Sequence, residues 1–310
     1  MTLSPRKTMR RRNFINGIIG LAVASPLMAR AQQAERVRRL GVLMPYAASD
    51  PQVQARFEAL VHGLQQLGWS DGTNIKIDYR WSAGNEDDIR KYAAELVALG
   101  PDVIFASGSA GVGPMQRATR TIPIVFALVP DPVRAGFVDS MARPGGNITG
   151  FTGYDYGIGA KGLELLKEVA PSVTRVAVVR DRAITAGIGL WGAIQSVSSS
   201  FGVELRPLDV RDAGEIERAL AAFASGQNGG LITTGSAFTV AHRDLIIALA
   251  ARYRLPAVYY DRYYAAAGGL ISYGANNVEE YRVSPRRRLH RSNPQGREAS
   301  RPAGADGDEV

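Results

Sequence analysis

Residues 103–128, VIFASGSAGVGPMQRATRTIPIVFAL, predict a strand, a helix and a second strand in direct succession. Val103 to Ala106 and Ile122 to Leu128 are short apolar runs, which is typical of strands buried on both faces. Ser109 to Thr119 lies between them and has the length of a helix. Two buried strands joined through a helix indicate a parallel sheet that is covered by helices.

The same alternation extends toward the N-terminal side of this stretch. Arg39 to Met44 and Asn74 to Tyr79 are predicted strands. Gln52 to Leu67 and Asp87 to Leu99 carry apolar residues at helical spacing, and a glycine follows each of them. The β-α-β-α-β-α-β order predicts one parallel sheet with helices on both faces.

A second alternation of helices and strands follows residues 131–160, which contain seven glycines and two prolines. Its predicted helices are Lys161 to Val169, Ile188 to Phe201, Ala213 to Phe223 and Ala241 to Tyr253. Its predicted strands are Val176 to Val179, Val203 to Leu208, Gly230 to Thr233 and Ala257 to Tyr260. The fold class is therefore α/β, with two doubly wound parallel-sheet lobes.

This pattern divides residues 36–310 into five segments. Residues 36–130 form the first lobe, 131–160 the crossover, 161–262 the second lobe, 263–282 a return crossing and 283–310 a disordered tail with few aliphatic residues. We expect the cleft between the two lobes to hold a ligand.

The basic charge of the chain is concentrated at its ends. The 310 residues carry a formal net charge of +8. Residues 1–31 contribute +6 and residues 283–310 contribute +2, so residues 32–282 are neutral. A protein that binds nucleic acid needs a basic face on the folded part, and none is evident here.

Residues 1–31 have the pattern of a signal peptide. Arg10 to Arg12 form a charged region, Ile15 to Leu27 an apolar run too short to span a membrane, and Ala29-Arg30-Ala31 a cleavage site. Arg11 to Ile15, RRNFI, also matches the twin-arginine export signal; an ordinary signal with a basic start is the alternative. We expect cleavage near Ala31 and a soluble protein in the periplasm.

Catalytic and metal-binding patterns are missing from the sequence. There is no cysteine, which excludes disulfides, thiolate catalysis and a cysteine lipid anchor. His62, His242 and His290 are not at the spacing of metal ligands. The stretch SGSAGVG at 107–113 matches neither a nucleophile elbow nor a phosphate-binding loop. The sequence therefore predicts a protein that is not an enzyme and that binds no cofactor and no metal ion.

Ligand-binding candidates lie where the predicted strands end. Small residues before a helix expose backbone N–H groups that suit a carboxylate, so Ser107, Ser109 and Ala110 are candidates; a tight turn that requires small residues is the alternative. Asp131 could pair with an ammonium group or cap a turn. The remaining candidates are Tyr46, Tyr154, Ser236 and Asp261. Aromatic and acidic side chains that face a helix N-terminus suit a zwitterion such as an amino acid.

Several motifs resemble one family along residues 36–282. The most specific is ARPGGNITG at 142–150, and others are RRLGVL at 38–43, TIPIV at 121–125 and LPAVY at 255–259. The chain resembles ABC-transporter substrate-binding proteins of the tryptophan/aromatic-amino-acid-like group. The resemblance implies a type I periplasmic-binding-protein fold, three crossings between the lobes, hinge closure on a small solute, and delivery to a membrane permease and its ATPase. We expect a monomer.

The C-terminal end departs from the family pattern. Members of that group continue past the helix that contains Tyr281 with a segment that returns to the first lobe, and they end in a leucine-rich stretch. Val283 to Val310 has neither feature. We hypothesise a shifted reading frame near Arg282, so that the C-terminal part of the fold is truncated.

Three hypotheses on function follow. The first is a solute receptor of an uptake transporter that performs no catalysis. The second is an exported sensing module that acts on a signalling partner. The third is a hydrolase that works in the same cleft, and the missing acid–base cluster argues against it.

Overall fold

Five strands form the first sheet of the computed structural model, which describes residues 37–283. They are β1 (Arg38–Met44), β2 (Ile75–Trp81), β3 (Val103–Ser107), β4 (Ile124–Ala127) and β5 (Ile148–Gly150). All pairs are parallel, and the order across the sheet is β2-β1-β3-β4-β5. The residues of β3 and β4 are almost all buried, which explains their continuous apolar sequences.

Three helices cover the two faces of this sheet. They are α1 (Pro51–Gln66), α2 (Glu86–Ala98) and α3 (Gly108–Ala118). The carboxylate of Asp50 accepts the N–H groups that begin α1, and Asn85 does the same for α2. One core lies between α1 and the sheet, and a second lies between the opposite face of the sheet and α2 and α3.

The second lobe repeats this architecture. Its strands are β6 (Arg175–Val179), β7 (Glu204–Leu208), β8 (Gly229–Thr233), β9 (Ala257–Tyr259) and β10 (Ile271–Ser272), in the order β10-β9-β8-β6-β7. Its helices are α4 (Gly157–Val169), α5 (Thr185–Val197), α6 (Ala213–Ala224), α7 (Ala237–Ala241), α8 (Arg243–Arg252) and α9 (Arg262–Ala266). Pro207 lies in β7, an edge strand, where its missing N–H costs no sheet hydrogen bond.

The last described helix, α10 (Asn277–Val283), returns to the first lobe and packs against α1. Tyr281 of this helix is fully buried in the core of the first lobe. An ion pair also links the lobes, since Arg243 of α8 lies 3.5 Å from Asp50 at the start of α1. Within residues 37–283, the chain therefore crosses between the lobes twice.

The predicted fold, two α/β lobes with parallel sheets, is confirmed. The predicted elements differ from the observed ones at three places. Residues 131–160 contain β5, a three-residue strand of the first sheet that the sequence analysis did not predict. The helix predicted from Ala241 to Tyr253 is observed as α8, and the short helix α7 that precedes it was not predicted. Residues 263–282, predicted as the return crossing, contain most of α9 and all of β10, which belong to the second lobe, and the return to the first lobe takes residues 273–276.

The predicted signal peptide, the twin-arginine motif and almost all of the C-terminal tail lie outside the described residues. Among residues 37–283, no helix combines the length and the apolar character that a membrane span requires.

Candidate functional site

A cleft lies between the two lobes, and its empty space is about 440 Å³ including the part that is open to solvent. The first lobe lines it with Pro45, Tyr46, Arg56, Gly108, Ala110 and Leu128. The second lobe lines it with Ile184, Ala186, Gly235, Ser236, Ala237 and Tyr260. Pro130, Tyr154 and Asn277 complete the lining.

The N-terminus of α3 forms one side of the cleft. Gly108 begins this helix with a φ of +63°, a conformation that favours glycine. The first N–H groups of a helix have no partner within the helix and carry a partial positive charge. Ala110 lines the cleft, and the neighbouring Ser109 is buried, with no hydrogen-bond partner for its hydroxyl among the described residues. This edge of the cleft suits an anionic group.

A buried ion pair joins the lobes beside the cleft. Nη2 of Arg56, in α1, lies 2.9 Å from Oδ2 of Asp261, and the two side chains are 2% and 4% exposed. Asp261 also accepts the N–H of Tyr263 at 3.2 Å, which caps α9, and a hydrogen bond from the side chain of Asn277. Because both charges are removed from water, removing either partner would leave an uncompensated charge.

Three tyrosines form the aromatic part of the lining. Tyr46 follows β1, Tyr154 follows β5, and Tyr260 follows β9. The guanidinium of Arg56 lies over the ring of Tyr46, 5.5 Å from its centroid. Burial raises the pKa of all three hydroxyls, so they remain neutral hydrogen-bonding groups at neutral pH.

Helix α10 contributes a buried carboxylate behind the cleft. The backbone N–H of Leu128, which follows β4, donates to Oε2 of Glu280 at 2.9 Å. Burial raises the pKa of Glu280 to about 7, while hydrogen bonds from the N–H groups of Leu128 and Gly153 and the charge of Arg56 oppose that rise. Gly153 lies in the connection between the lobes, so Glu280 fastens α10 to this connection.

Glu280→Gln should remove a pH dependence of stability. The pKa of Glu280 rises from its usual value of 4.5 to about 7 on folding, so between these values the folded protein binds a proton that the unfolded chain has lost. The stabilisation is therefore complete below about pH 4.5 and is lost as the pH rises through 7. We expect the free energy of unfolding of the wild type to fall by about 2–3 kcal/mol relative to Glu280→Gln across this range.

Urea unfolding of both proteins at pH 5, 6, 7 and 8 measures this difference. Other titrating groups are common to both proteins and cancel in the comparison. Parallel pH profiles for the two proteins would contradict the expected role of Glu280.

The structure brings together four of the residues that the sequence analysis proposed as ligand-binding: Tyr46, Ala110, Tyr154 and Ser236 line the cleft. Ser236 also caps α7 through a reciprocal pair of hydrogen bonds with Thr239.

The other four proposed residues do not line the cleft. Ser107 and Ser109 are buried beside it, and the hydroxyl of Ser107 is hydrogen-bonded to that of Tyr281. Asp131 accepts the N–H of Arg134 at 3.1 Å, which is the turn-capping alternative of the sequence analysis. Asp261 is engaged in the ion pair with Arg56.

The sequence analysis missed Arg56 and Asn277 as lining residues and Glu280 and Tyr281 behind them. Arg56 had a detectable signal, because it lies three residues after Val53 and four before Leu60, on the buried face of α1. A charged residue on an apolar helix face indicates a buried partner. The role of Asn277 depends on contacts between distant segments, and its local sequence carries no such signal.

The described residues contain no group of three or more histidine, cysteine, aspartate or glutamate side chains with the arrangement of a metal site.

The chain is similar to a known protein family and to a curated protein. Residues 42–281 match the family described as ABC transporter substrate binding protein. A curated protein of Clostridioides difficile, named Tyrosine-binding protein, is 33% identical over 129 residues, which is 42% of this chain and 37% of the relative. The alignment therefore spans little more than a third of that relative.

Two solved structures share the fold. One is a conserved domain protein from Vibrio cholerae, with a TM-score of 0.77 and 22% identity over 84% of this chain and 86% of the other. The second is described as the ABC domain in complex with L-Trp from Streptococcus pneumonia, with a TM-score of 0.75 and 18% identity over the same shares of the two chains.

Proposed function

We propose a function from one premise: this chain belongs to the family of ABC transporter substrate binding proteins. It is an exported receptor that captures an aromatic amino acid in the cleft between its lobes and delivers it, chemically unchanged, to a membrane permease. The receptor acts in the periplasm as a monomer. Export, the permease and the identity of the solute are parts of this proposal.

The composition of the cleft lining carries the proposal. Tyr46, Tyr154 and Tyr260 supply aromatic surface, which pairs favourably with the ring of an aromatic solute. The N-terminus of α3, with Ala110 in the lining, supplies positive potential for a carboxylate, and Nε of Arg56, which no described residue uses, supplies a hydrogen-bond donor. One small solute with both an aromatic ring and a carboxylate satisfies both features.

The relatives support this solute class. The curated relative with 33% identity is named for tyrosine, and the structure from Streptococcus pneumonia contains L-Trp. The ring of either amino acid would lie against the tyrosines, with its carboxylate toward Ala110.

Closure of the lobes is the means of capture. The cleft takes lining residues from both lobes, so a solute that touches both stabilises the closed arrangement over the open one. The connections at residues 151–156 and 273–276 lie outside the helices and strands and serve as the hinge.

The lining argues against hydrolysis in this cleft. The described lining residues include no histidine, aspartate or glutamate, and the pKa of each lining tyrosine is raised. A hydrolase requires a general base or an activated nucleophile in contact with the substrate. A receptor requires neither.

A thermal-shift screen of the protein from Gln32 onward tests the proposed solute. We expect L-tyrosine, L-tryptophan or L-phenylalanine to raise the unfolding temperature. A solute present at 100 times its Kd adds about 2.7 kcal/mol to the free energy of unfolding. Aliphatic amino acids, purines and small carboxylates form the comparison set. A shift with a purine and none with the aromatic amino acids would contradict the proposed solute class.

A further inference from the structure

Asn277 is a buried polar residue in the lining of the cleft. It is the first residue of α10, is 6% exposed and lines the cleft. It comes from the segment that returns from the second lobe to the first, so it lies beside the hinge.

The orientation of its amide is determined by Asp261. An ionised carboxylate accepts hydrogen bonds and cannot donate them, so the group that faces Asp261 must be the NH₂ of Asn277. The amide oxygen, Oδ1, then points away from Asp261. It is buried and has no hydrogen-bond partner among the described residues. A buried polar atom without a partner destabilises the folded state, and in native proteins such an atom usually has a specific role.

The acidic side chains nearby are already engaged. Oδ1 of Asp261 accepts the N–H of Tyr263, and Oδ2 accepts from Arg56 and Asn277. Asp131 does not line the cleft and is bound to Arg134. The amide oxygen of Asn277 is instead a buried acceptor that no described residue uses, on a residue that lines the cleft.

Arg56 provides the complementary group. Its Nη2 binds Asp261, while Nε is buried without a partner among the described residues. Arg56 and Asn277 both line the cleft and both bind Asp261, which keeps the two side chains close together. Two neighbouring lining residues thus carry an unused buried donor and an unused buried acceptor, the groups that the carboxylate and ammonium of one α-amino acid require.

From this arrangement we infer that Oδ1 of Asn277 accepts a hydrogen bond from the α-ammonium group of the bound solute and selects amino acids against acids that lack the amine. The inference rests on the proposed function, because it assumes an aromatic amino acid in the cleft. The partner of the ammonium group is then the amide of Asn277, on the helix that returns to the first lobe, and not Asp131, which the sequence had suggested.

The test compares L-tyrosine with 3-(4-hydroxyphenyl)propionate, which has the same ring and carboxylate and no amine. Calorimetric titration gives the Kd of each for the wild type and for Asn277→Ala. We expect the wild type to prefer L-tyrosine by about 10- to 100-fold, since the hydrogen bond involves a charged donor. In Asn277→Ala, we expect the preference to fall below about threefold, because the amine then lacks its acceptor.

Two variants complete the design. Gln195→Ala also removes an amide side chain, at an exposed position in the last turn of α5, and should retain the preference of the wild type. Asn277→Ser keeps a hydroxyl that can donate to Asp261, and it replaces Asn277→Ala if that variant does not fold. The serine variant should also lose the preference, since its side chain is too short to reach the ammonium group.

The outcomes separate the inference from the proposed function. A preference that persists undiminished in the folded Asn277 variants overturns the inference and leaves the proposed function standing. A wild type that binds both compounds with equal affinity also overturns the inference and leaves the proposed function standing. A wild type that binds neither compound contradicts tyrosine as the solute, and the inference falls with it.

Discussion

Arg56→Met should lower the free energy of unfolding by about 3–5 kcal/mol. The substitution leaves Asp261 as a buried carboxylate without its cation, at a position where the two side chains are 2% and 4% exposed. Methionine preserves much of the volume and the apolar contacts of the arginine side chain, so most of the loss is electrostatic. Urea unfolding at neutral pH measures this difference. The variant should also bind the solute more weakly, because Arg56 lines the cleft.

Arg38→Met is the matched control. Arg38 also lies 2.9 Å from an aspartate, Asp102, but its side chain is 47% exposed, so this pair should contribute at most about 1 kcal/mol. Adding Asp261→Asn to Arg56→Met should recover part of the lost stability, because the uncompensated charge is removed. A loss below about 1 kcal/mol for Arg56→Met would show that the pair does not hold the lobes together.

Ala110→Glu should reduce the affinity for an aromatic amino acid by about 100-fold or more. The new carboxylate lies at the third residue of α3, in the lining where the carboxylate of the solute is proposed to bind. Two like charges about 4 Å apart near a protein surface repel by about 4 kcal/mol. The protein should stay folded, since an acidic residue in the first turn of a helix is favourable.

Calorimetric titration of the wild type, Ala110→Glu and Ala110→Gln separates charge from size. Glutamine has the same shape as glutamate without the charge, so its effect measures steric exclusion alone. We expect the glutamate variant to bind at least tenfold more weakly than the glutamine variant. Equal affinities for these two variants would mean that the carboxylate of the solute does not bind at α3.

The fold could be predicted because its strands are buried by helices on both faces. That burial demands continuous apolar runs, such as the IVFA of β4, and these stand out from the helical spacing of their neighbours. The elements that escaped prediction are the short ones. β5 has three residues and β10 has two, and neither is long enough to show a periodic pattern.

The candidate site was predictable where it depends on strand ends and was missed where it depends on packing. Tyr46 lies just after β1, and Ala110 lies in the first turn of α3, just after β3. The carboxyl ends of parallel strands lie at one edge of the sheet, so the two residues come together there. Arg56 and Asn277 reach the cleft because α1 and α10 pack together and both contact Asp261. The spacing of α1 indicates that Arg56 has a buried partner, but it does not identify Asp261, which lies 205 positions away.

The decisive measurement is calorimetric titration of the wild-type protein with L-tyrosine, L-tryptophan and L-phenylalanine. It tests directly whether the cleft captures an aromatic amino acid. We expect one binding site for at least one of them, with a negative heat-capacity change from burial of the ring, and loss of that binding in Ala110→Glu. A folded protein that binds none of the three, or that binds one of them equally well with glutamate at residue 110, would contradict it.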